Sequence, residues 1–325
     1  MRNDTITKKK SLYKYIKYSE FGALIGFLAI FVFFSIISRK FLTFSNFVNI
    51  FTISAELGIV TVGMTFLMIA GEFDLSVGAV FAVVPMFMIL LSDMGIPVFF
   101  AFLLSMIIAG FIGYINAMIT IKAKIPSFIT TLGMQMFWRG ILLAVTGGFP
   151  LYYKGGKEFI YAFGGRTFAN IRISGIWFVV ITIVFSIILT RTKYGNWVFA
   201  SGGNPDVARA LGVNADKVKS INFIVCAVLA GIAGMASLGR FKIVDPTLGV
   251  GMELEAIAAA VIGGTFLNGG YGSIIGAFIG AFLIGMVRDG LILAGAPPYW
   301  YRAFIGIILI AAAIINTKIK KAVAG

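Results

Sequence analysis

The sequence predicts an all-α fold, a polytopic membrane helix bundle of about ten transmembrane spans in which some helices are short and broken. Hydrophobic residues make up 59% of the 325 residues and charged residues only 12%, whereas soluble proteins have roughly 45–50% and 25%. The mean hydropathy is +0.99. Apolar runs of about 20 residues, the length that crosses a bilayer, recur along the chain. A membrane bundle accounts for all of these observations.

The apolar runs divide the chain into ten predicted spans and a basic tail, residues 1–20. The first run is too long for the core of a signal sequence, and no small-residue cleavage site follows it. We therefore expect an uncleaved first helix and a single transmembrane domain, residues 21–325. The predicted spans are 21–38, 55–70, 75–92, 97–120, 127–146, 173–190, 219–239, 253–267, 271–288 and 300–316.

Basic residues are spread unevenly over the segments between the spans. With the N-terminus inside, the inside segments carry more Lys and Arg than the outside segments. The positive-inside rule then places both termini and loop 191–219 in the cytoplasm and loop 147–172 outside. The net charge of +14 is thereby explained by membrane topology, and we expect no nucleic-acid partner. Loop 147–172 is predicted to be either a flexible connector or a landing surface for an external protein.

A polar interruption at residues 195–220 contains a short helix with clear end signals. Asn204 is a favoured N-cap, Pro205 suits the first helical position and Asp206 favours the positive end of the helix dipole. Gly212 can adopt the left-handed conformation that ends a helix. Because a helix of about seven residues is marginal alone in water, we expect helix 205–211 to dock against a partner.

Two short spans are bounded by polar turns that contain glycine, residues 69–78 and 262–273. Paired interruptions of this kind in the two halves of a chain indicate a transport pathway. Span nine also carries Gly272, Gly276 and Gly280 on one helix face. Small residues at this spacing predict close helix packing.

Polar side chains in or beside the spans are candidates for the pathway lining, since ionisable groups at membrane depth usually face the protein interior. Asp74 and Glu72 equally suit structural roles, Asp74 as the cap of span three. Arg139, four residues after Gln135, is expected to pair structurally or to snorkel. Glu253 and Glu255 must face different sides of their helix. The candidates are Glu72, Asp74, Asn116, Gln135, Asn222, Ser237, Glu253, Glu255 and Thr265.

The composition also excludes several chemistries. The chain has no histidine, and its single cysteine, Cys226, lies in an apolar run; a disulfide framework and CxxC metal or redox sites are therefore excluded. It has no GxxxxGK[ST] loop, so ATP must be bound by another chain. No ladder of carboxylates is present for a proton relay. We expect a non-catalytic subunit that binds no metal or cofactor directly.

Five sequence blocks in a fixed order span nearly the whole chain. They are FLTFSNFVNI (41–50), GEFDLSVG (71–78), SGGNPDVARALGV (201–213), ELEAIAAAVIGG (253–264) and GGYGSIIGA (269–277). Together they identify a chain that resembles the permease subunits of bacterial ABC monosaccharide importers of the ribose/xylose/galactose type. Branched-chain amino-acid permeases are more distantly similar. One departure is Glu72-Phe73, where the family more usually has Gly-Ile.

The resemblance implies several partners in a bacterial inner membrane. These are a second copy or a homologous permease, two cytoplasmic ATPase subunits that bind ATP and Mg, and an external sugar-binding protein. It also implies that the predicted short helix is a coupling helix seated in the ATPase. The residues assigned to coupling are Asn204, Pro205, Asp206, Ala208, Arg209, Leu211, Gly212 and Val213. A branched-chain amino-acid permease, an ion-coupled secondary transporter and a non-transporting scaffold stay open as alternatives, as does the identity of the sugar.

Overall fold

The computed structural model describes residues 22–167, 170–297 and 299–324. Over these residues the regular secondary structure is helical apart from one two-stranded sheet and an isolated bridge between Arg166 and Arg172. The predicted basic tail, 1–20, lies outside the described residues. The elements are α1 (Gly22–Ile37), a 3-10 turn (Arg39–Leu42), α2 (Phe44–Ile69), α3 (Val77–Asp93), α4 (Val98–Lys122), α5 (Ser127–Thr146), β1 (Leu151–Tyr152), α6 (Lys157–Gly164), α7 (Ile173–Arg191), α8 (Lys193–Gly203), α9 (Pro205–Ala210), α10 (Ala215–Phe241), β2 (Ile243–Val244), α11 (Met252–Ile262), α12 (Ile274–Leu293) and α13 (Tyr299–Ala324).

The helical membrane class is confirmed, but the count of ten spans is not. Six of the described helices, α2, α4, α5, α7, α10 and α12, are long and apolar enough to cross a membrane. Three further apolar helices, Gly22–Ile37, Val77–Asp93 and Tyr299–Ala311, are shorter. The predicted eighth span, 253–267, contains only the 11-residue helix α11. At 1.5 Å per residue α11 covers about 16 Å, roughly half of a bilayer core.

Helices α2 and α10 form the centre of the bundle. Helix α10 packs against α2, α3 and α4, and α2 also packs against α7, α11 and α12. Small residues permit these contacts: a Cβ at Gly113 or Gly234 would overlap a backbone carbonyl of the facing helix. Gly280 of α12 likewise lies against the carbonyl of Ala259 in α11. The close packing predicted from small-residue spacing is therefore confirmed.

The connections gather at two opposite ends, which we name the α9 end and the α6 end. The α9 end carries residues 70–73, 120–126, 192–219 and 263–273. The α6 end carries residues 38–43, 94–97 and 147–172 together with the sheet. This grouping matches the predicted alternation of inside and outside segments. Which end faces the cytoplasm stays a prediction.

The predicted outside loop, 147–172, contains regular structure and is not merely a connector. Its strand β1 pairs antiparallel with β2, with Leu151 opposite Val244 and Tyr152 opposite Ile243. Helix α6 packs against α10 and α7. Its aromatic side chains Phe159 and Phe163 are buried there. This loop therefore caps the α6 end with a folded surface.

Candidate functional site

Helix α9 begins and ends as its residues predict. The Asn204 side-chain oxygen accepts hydrogen bonds from the backbone N–H groups of Asp206 and Val207 at 3.1 and 3.2 Å. Pro205 occupies the first helical position, where its missing N–H costs nothing. Gly212 has a φ of +83°, which a residue with a side chain rarely adopts. The predicted cap and left-handed stop are confirmed, and the helix ends one residue before the predicted 211.

The surface of α9 has one packed side and one open side. Ala208 is buried, and its carbonyl accepts a hydrogen bond from the Val213 N–H. Val207 and Leu211, four positions apart, are 53% and 78% exposed. Residues at this spacing share a helix face. An exposed apolar pair on an otherwise polar segment is a surface suited to a protein partner.

Arg209 fastens α9 to the start of α10. Its guanidinium bonds the carboxylates of Asp206 at 2.9 Å and Asp216 at 2.8 Å. The hydrogen bond and charge of Asp216, followed by the charge of Asp206, raise the pKa of Arg209 above its ordinary value. These two exposed ion pairs link α9 to the first turn of α10.

Three glycine-rich segments meet backbone to backbone beneath α9. We name this the glycine junction: Gly71, Gly202, Gly269 and Gly270. A Cβ on Gly202 would overlap the carbonyl oxygen of Ile69, and one on Gly269 would lie 2.7 Å from the Gly71 Cα. The Gly270 N–H donates a 2.8 Å hydrogen bond to the same Ile69 carbonyl. The end of α8, next to α9, is thus in direct contact with both predicted interruptions.

The first interruption, between α2 and α3, is a non-helical segment held by side chains. Its backbone N–H groups at Phe73 and Leu75 donate to the hydroxyls of Ser127 and Thr131 on α5, at 3.2 and 2.9 Å. Hydroxyl acceptors replace the missing helical bonds, since buried backbone N–H groups need hydrogen-bond partners. The break therefore depends on α5 for its shape.

Asp74 is fully buried in this break and joins it to α4. One of its carboxylate oxygens accepts bonds from the Ser76 N–H and hydroxyl, and the other accepts from the Asn116 amide at 3.1 Å. The same amide also donates to the Ser76 hydroxyl. The structure thus brings the predicted candidates Asp74 and Asn116 together. Asp74 is structural but does not cap α3 as predicted, because Ser76 occupies the N-cap position and Asp74 bonds Ser76 rather than the N–H groups of the first helical turn.

A second irregular segment, residues 245–251, runs from the α6 end back into the bundle. Arg139 of α5 holds it by donating to the carbonyls of Pro246 and Leu248 at 3.0 and 2.8 Å. A third bond, 3.0 Å long, reaches the Gly78 carbonyl in the first turn of α3. Because Arg139 lies near the middle of α5, the starts of α3 and α11 converge at that depth. Structural pairing of Arg139 is therefore confirmed.

Glu253 and Glu255 face different helices, as their spacing predicted. Glu253 accepts a 2.9 Å hydrogen bond from Gln135. Its other carboxylate oxygen, Oε2, is buried without a hydrogen bond to any described residue. Glu255 lies beside Arg288 and Tyr301 of α12 and α13. Gln135 and Glu253 are thereby brought together near the converging helix starts, and Glu255 is separated from them.

The other candidates lie apart from this centre. Asn222 accepts a 2.6 Å bond from the Tyr194 hydroxyl and donates to the Phe66 carbonyl at 3.2 Å, tying α10 to α8 and α2. Burial raises the pKa of Tyr194, which lies on α8 at the α9 end. Ser237 and Thr265 are buried at separate points of the bundle. Glu72 pairs with Lys219 at the α9 end.

A basic cavity of about 580 Å³ opens at the α6 end. Four cationic side chains, which we name the cationic rim, line it: Lys40, Arg166, Arg172 and Arg240. Glu56 pairs with Arg240 at 3.3 Å, and its charge also acts on Arg172. Partial burial, followed by the nearby positive charges of Arg166 and Arg240, lowers the pKa of Arg172. The cavity is thus a concave and strongly positive surface.

Sequence reasoning did not identify the cationic rim, the glycine junction or the partner of Glu72. The rim residues lie on segments far apart in sequence, and no local pattern joins them. The pair Gly202-Gly203, directly before the predicted cap Asn204, was a usable signal for the glycine junction. A glycine pair at the end of a helix permits close backbone approach.

The fold and the site together define a class of protein. The first interruption and the irregular segment 245–251 meet within a helical membrane bundle. The short capped helix α9 is exposed at one end of the bundle, and the end of α8 beside it contacts the interruptions 69–78 and 262–273. Broken helices around an irregular centre are typical of membrane transport proteins.

The chain belongs to the family described as the branched-chain amino acid transport system / permease component, whose family model matches residues 46–313. It is 33% identical over 311 residues to a xylose/arabinose import permease protein of Sulfolobus acidocaldarius, covering 93% of this chain and 86% of that protein. It is 32% identical over 303 residues to the ribose import permease protein of Escherichia coli K12, covering 91% and 93%. An autoinducer 2 import system permease protein of Photorhabdus laumondii is 29% identical over 304 residues, 94% of this chain and 91% of that protein. No solved structure matches significantly. The resemblance drawn from the five sequence blocks is confirmed.

Proposed function

We propose that this protein is the transmembrane permease subunit of an ATP-driven importer and forms the pathway for a monosaccharide. Two of the relatives above are, by name, import permeases for ribose and for xylose/arabinose. A neutral sugar needs a polar but weakly binding lining. Gln135 and Glu253 supply hydrogen-bonding groups where the starts of α3 and α11 converge. The sugar is delivered by an external binding protein.

The observation that carries the proposal is the link between α9 and the two interruptions. Helix α9 exposes Val207 and Leu211 to a partner. Gly202, at the end of α8 next to it, touches both interruptions. The partner is a cytoplasmic ATPase subunit, which holds ATP and Mg. This chain binds no cofactor directly. Movement of α9 in the cleft of the ATPase is passed to the pathway through the glycine junction.

In this proposal the α9 end and both termini face the cytoplasm of a bacterial cell with this chain in its inner membrane. A second permease copy or a homologous permease completes the pathway. Only 17% of the most apolar stretch of α5 is buried within the chain. Val250 and Leu254 beside it are also exposed. These surfaces suit a partner helix of a second copy.

The cationic rim is the proposed docking surface for the external binding protein. It is concave, lies at the end opposite α9 and carries four cations, which outnumber the neighbouring carboxylates Glu56 and Asp289. A partner with acidic side chains on its rim would be steered and oriented by this charge.

Reversing two charges of the rim should weaken docking. We expect Lys40→Glu combined with Arg166→Glu to raise the Kd of the purified binding protein for the permease in nanodiscs at least tenfold. Raising the salt concentration should weaken the wild type more than the variant. Lys193→Glu at the α9 end is the matched control and should leave the Kd unchanged. Equal affinity and equal salt dependence in all three proteins would remove the docking role from the rim.

Uptake into vesicles tests the proposed function. Permease, ATPase subunits and binding protein are reconstituted, and ribose, xylose, galactose, inositol and leucine are offered in turn. We expect ATP-dependent uptake of a sugar that stops when the ATPase is omitted and continues in the presence of ionophores. Uptake of leucine alone would identify a branched-chain amino-acid permease, and uptake abolished by ionophores would identify an ion-coupled carrier.

A further inference from the structure

An ion pair joins the coupling region to the first interruption. Lys219 Nζ lies 2.6 Å from Glu72 Oε1, and the two side chains are only 15% and 14% exposed. Reduced access of water strengthens the attraction relative to that of a surface pair. It also means that removing one partner leaves a poorly solvated charge. The contact is therefore costly to break.

The pair is the second of two ion pairs in a series that starts on α9. Arg209 bonds Asp216 in the first turn of α10 at 2.8 Å. Asp216 and Lys219 are three positions apart and lie on neighbouring surface positions of that helix. Lys219 then bonds Glu72, 147 positions away in sequence. The series connects α9, the start of α10 and the break between α2 and α3.

Beyond Glu72 the contacts lead to the start of α3 and to α4. Asp74, two residues further on, bonds the Ser76 N–H at 2.8 Å and the Asn116 amide at 3.1 Å. A shift of Glu72 must therefore be transmitted to both helices, since the segment is short and its polar atoms are bonded. The pair also borders a cavity of about 280 Å³ at the α9 end, which leaves space for α9 and α10 to move.

We infer that the Glu72–Lys219 pair is a strut that converts movement of the coupling helix into movement of the α2–α3 break, and that Glu72 is a positioning residue. The inference rests on the proposed function and adds a second link to it, separate from the glycine junction.

The test measures the amount of sugar imported per ATP hydrolysed in proteoliposomes that hold permease, ATPase subunits and binding protein. The sugar is the member of the panel above that the wild type imports. We expect Glu72→Gln and Lys219→Met each to lower this ratio at least fivefold while ATP hydrolysis continues. The exchanged pair, Glu72→Lys with Lys219→Glu, should restore at least half of the wild-type ratio. Lys217→Met removes an exposed charge from the same helix and should leave the ratio unchanged.

An unchanged ratio in Glu72→Gln overturns the strut, as does an exchanged pair that is as uncoupled as the single variants. Failure of all three variants to accumulate in the membrane assigns the pair to folding alone and overturns it as well. If the wild type itself shows no ATP-driven uptake, the proposed function fails, and this result is distinguishable from a failure of the strut.

Discussion

Replacing Gly202 by alanine should reduce ATP-driven uptake at least tenfold. The added Cβ would overlap the carbonyl oxygen of Ile69 and crowd the N–H of Gly270, so the end of α8 must move away from both interruptions. Overpacking of this kind costs about 1–3 kcal/mol, less than the roughly 5–15 kcal/mol that keeps a typical protein folded. The variant should therefore reach the membrane in normal amounts and fail in coupling.

The neighbouring glycine provides a matched control. A Cβ on Gly203 meets only the Gly270 Cα, at 3.8 Å, which is an ordinary van der Waals contact. Gly203→Ala should therefore keep at least half of the wild-type uptake. Equal uptake by the two alanine variants, measured at equal membrane abundance, would show that the glycine junction does not transmit movement.

Replacing Arg139 by methionine should release the irregular segment 245–251 and abolish uptake. The substitution removes three hydrogen bonds, to the carbonyls of Gly78, Pro246 and Leu248. The Pro246 and Leu248 carbonyls lie outside helices and are left without a donor, at a cost of about 1–3 kcal/mol each, whereas the Gly78 carbonyl keeps its bond within α3. We expect the free energy of unfolding to fall by about 3 kcal/mol or more, and hydrogen exchange of the backbone amides at 247–252 to accelerate at least tenfold.

Two further variants separate charge from geometry. Arg139→Lys keeps the charge, but a single ammonium cannot reproduce the planar fork that bridges two segments, so its exchange rates should lie between those of wild type and Arg139→Met. Arg191→Met removes an exposed arginine at the α9 end and should leave exchange at 247–252 unchanged. Wild-type exchange in Arg139→Met would mean that the segment holds its place without the arginine.

Local signals explain which parts of the fold were predictable. The bounds of α5 match the predicted span 127–146, because Pro126 precedes it and Gly147, with a φ of +62°, ends it. Helix α9 was predictable for the same reason, since Asn204, Pro205 and Gly212 act within a few residues of each other. Helix α2 begins at Phe44, 11 positions before the predicted span. Thr43, which caps it, was a signal available in the sequence.

Long-range contacts explain most of what was not predictable. The run 253–267 is apolar throughout, but helix α11 ends at Ile262 and Gly264 takes a φ of +89°. Hydropathy measures composition and does not show where an apolar segment turns. Glu72 was assigned to the pathway because of its position in a turn. Its pairing with Lys219 depends on how α10 packs, which neither local sequence contains.

The most direct test of the central claim is the accessibility of a cysteine at Leu211, the most exposed apolar position of the coupling region at 78%. The native Cys226 is buried and gives little background labelling. Tyr152→Cys at the α6 end reports on the opposite side. We expect an impermeant thiol reagent to label Leu211→Cys only in inverted vesicles, and assembly with the ATPase subunits to protect it. Labelling of Leu211→Cys from outside intact cells, or unchanged labelling after assembly, would show that α9 is not a cytoplasmic coupling helix.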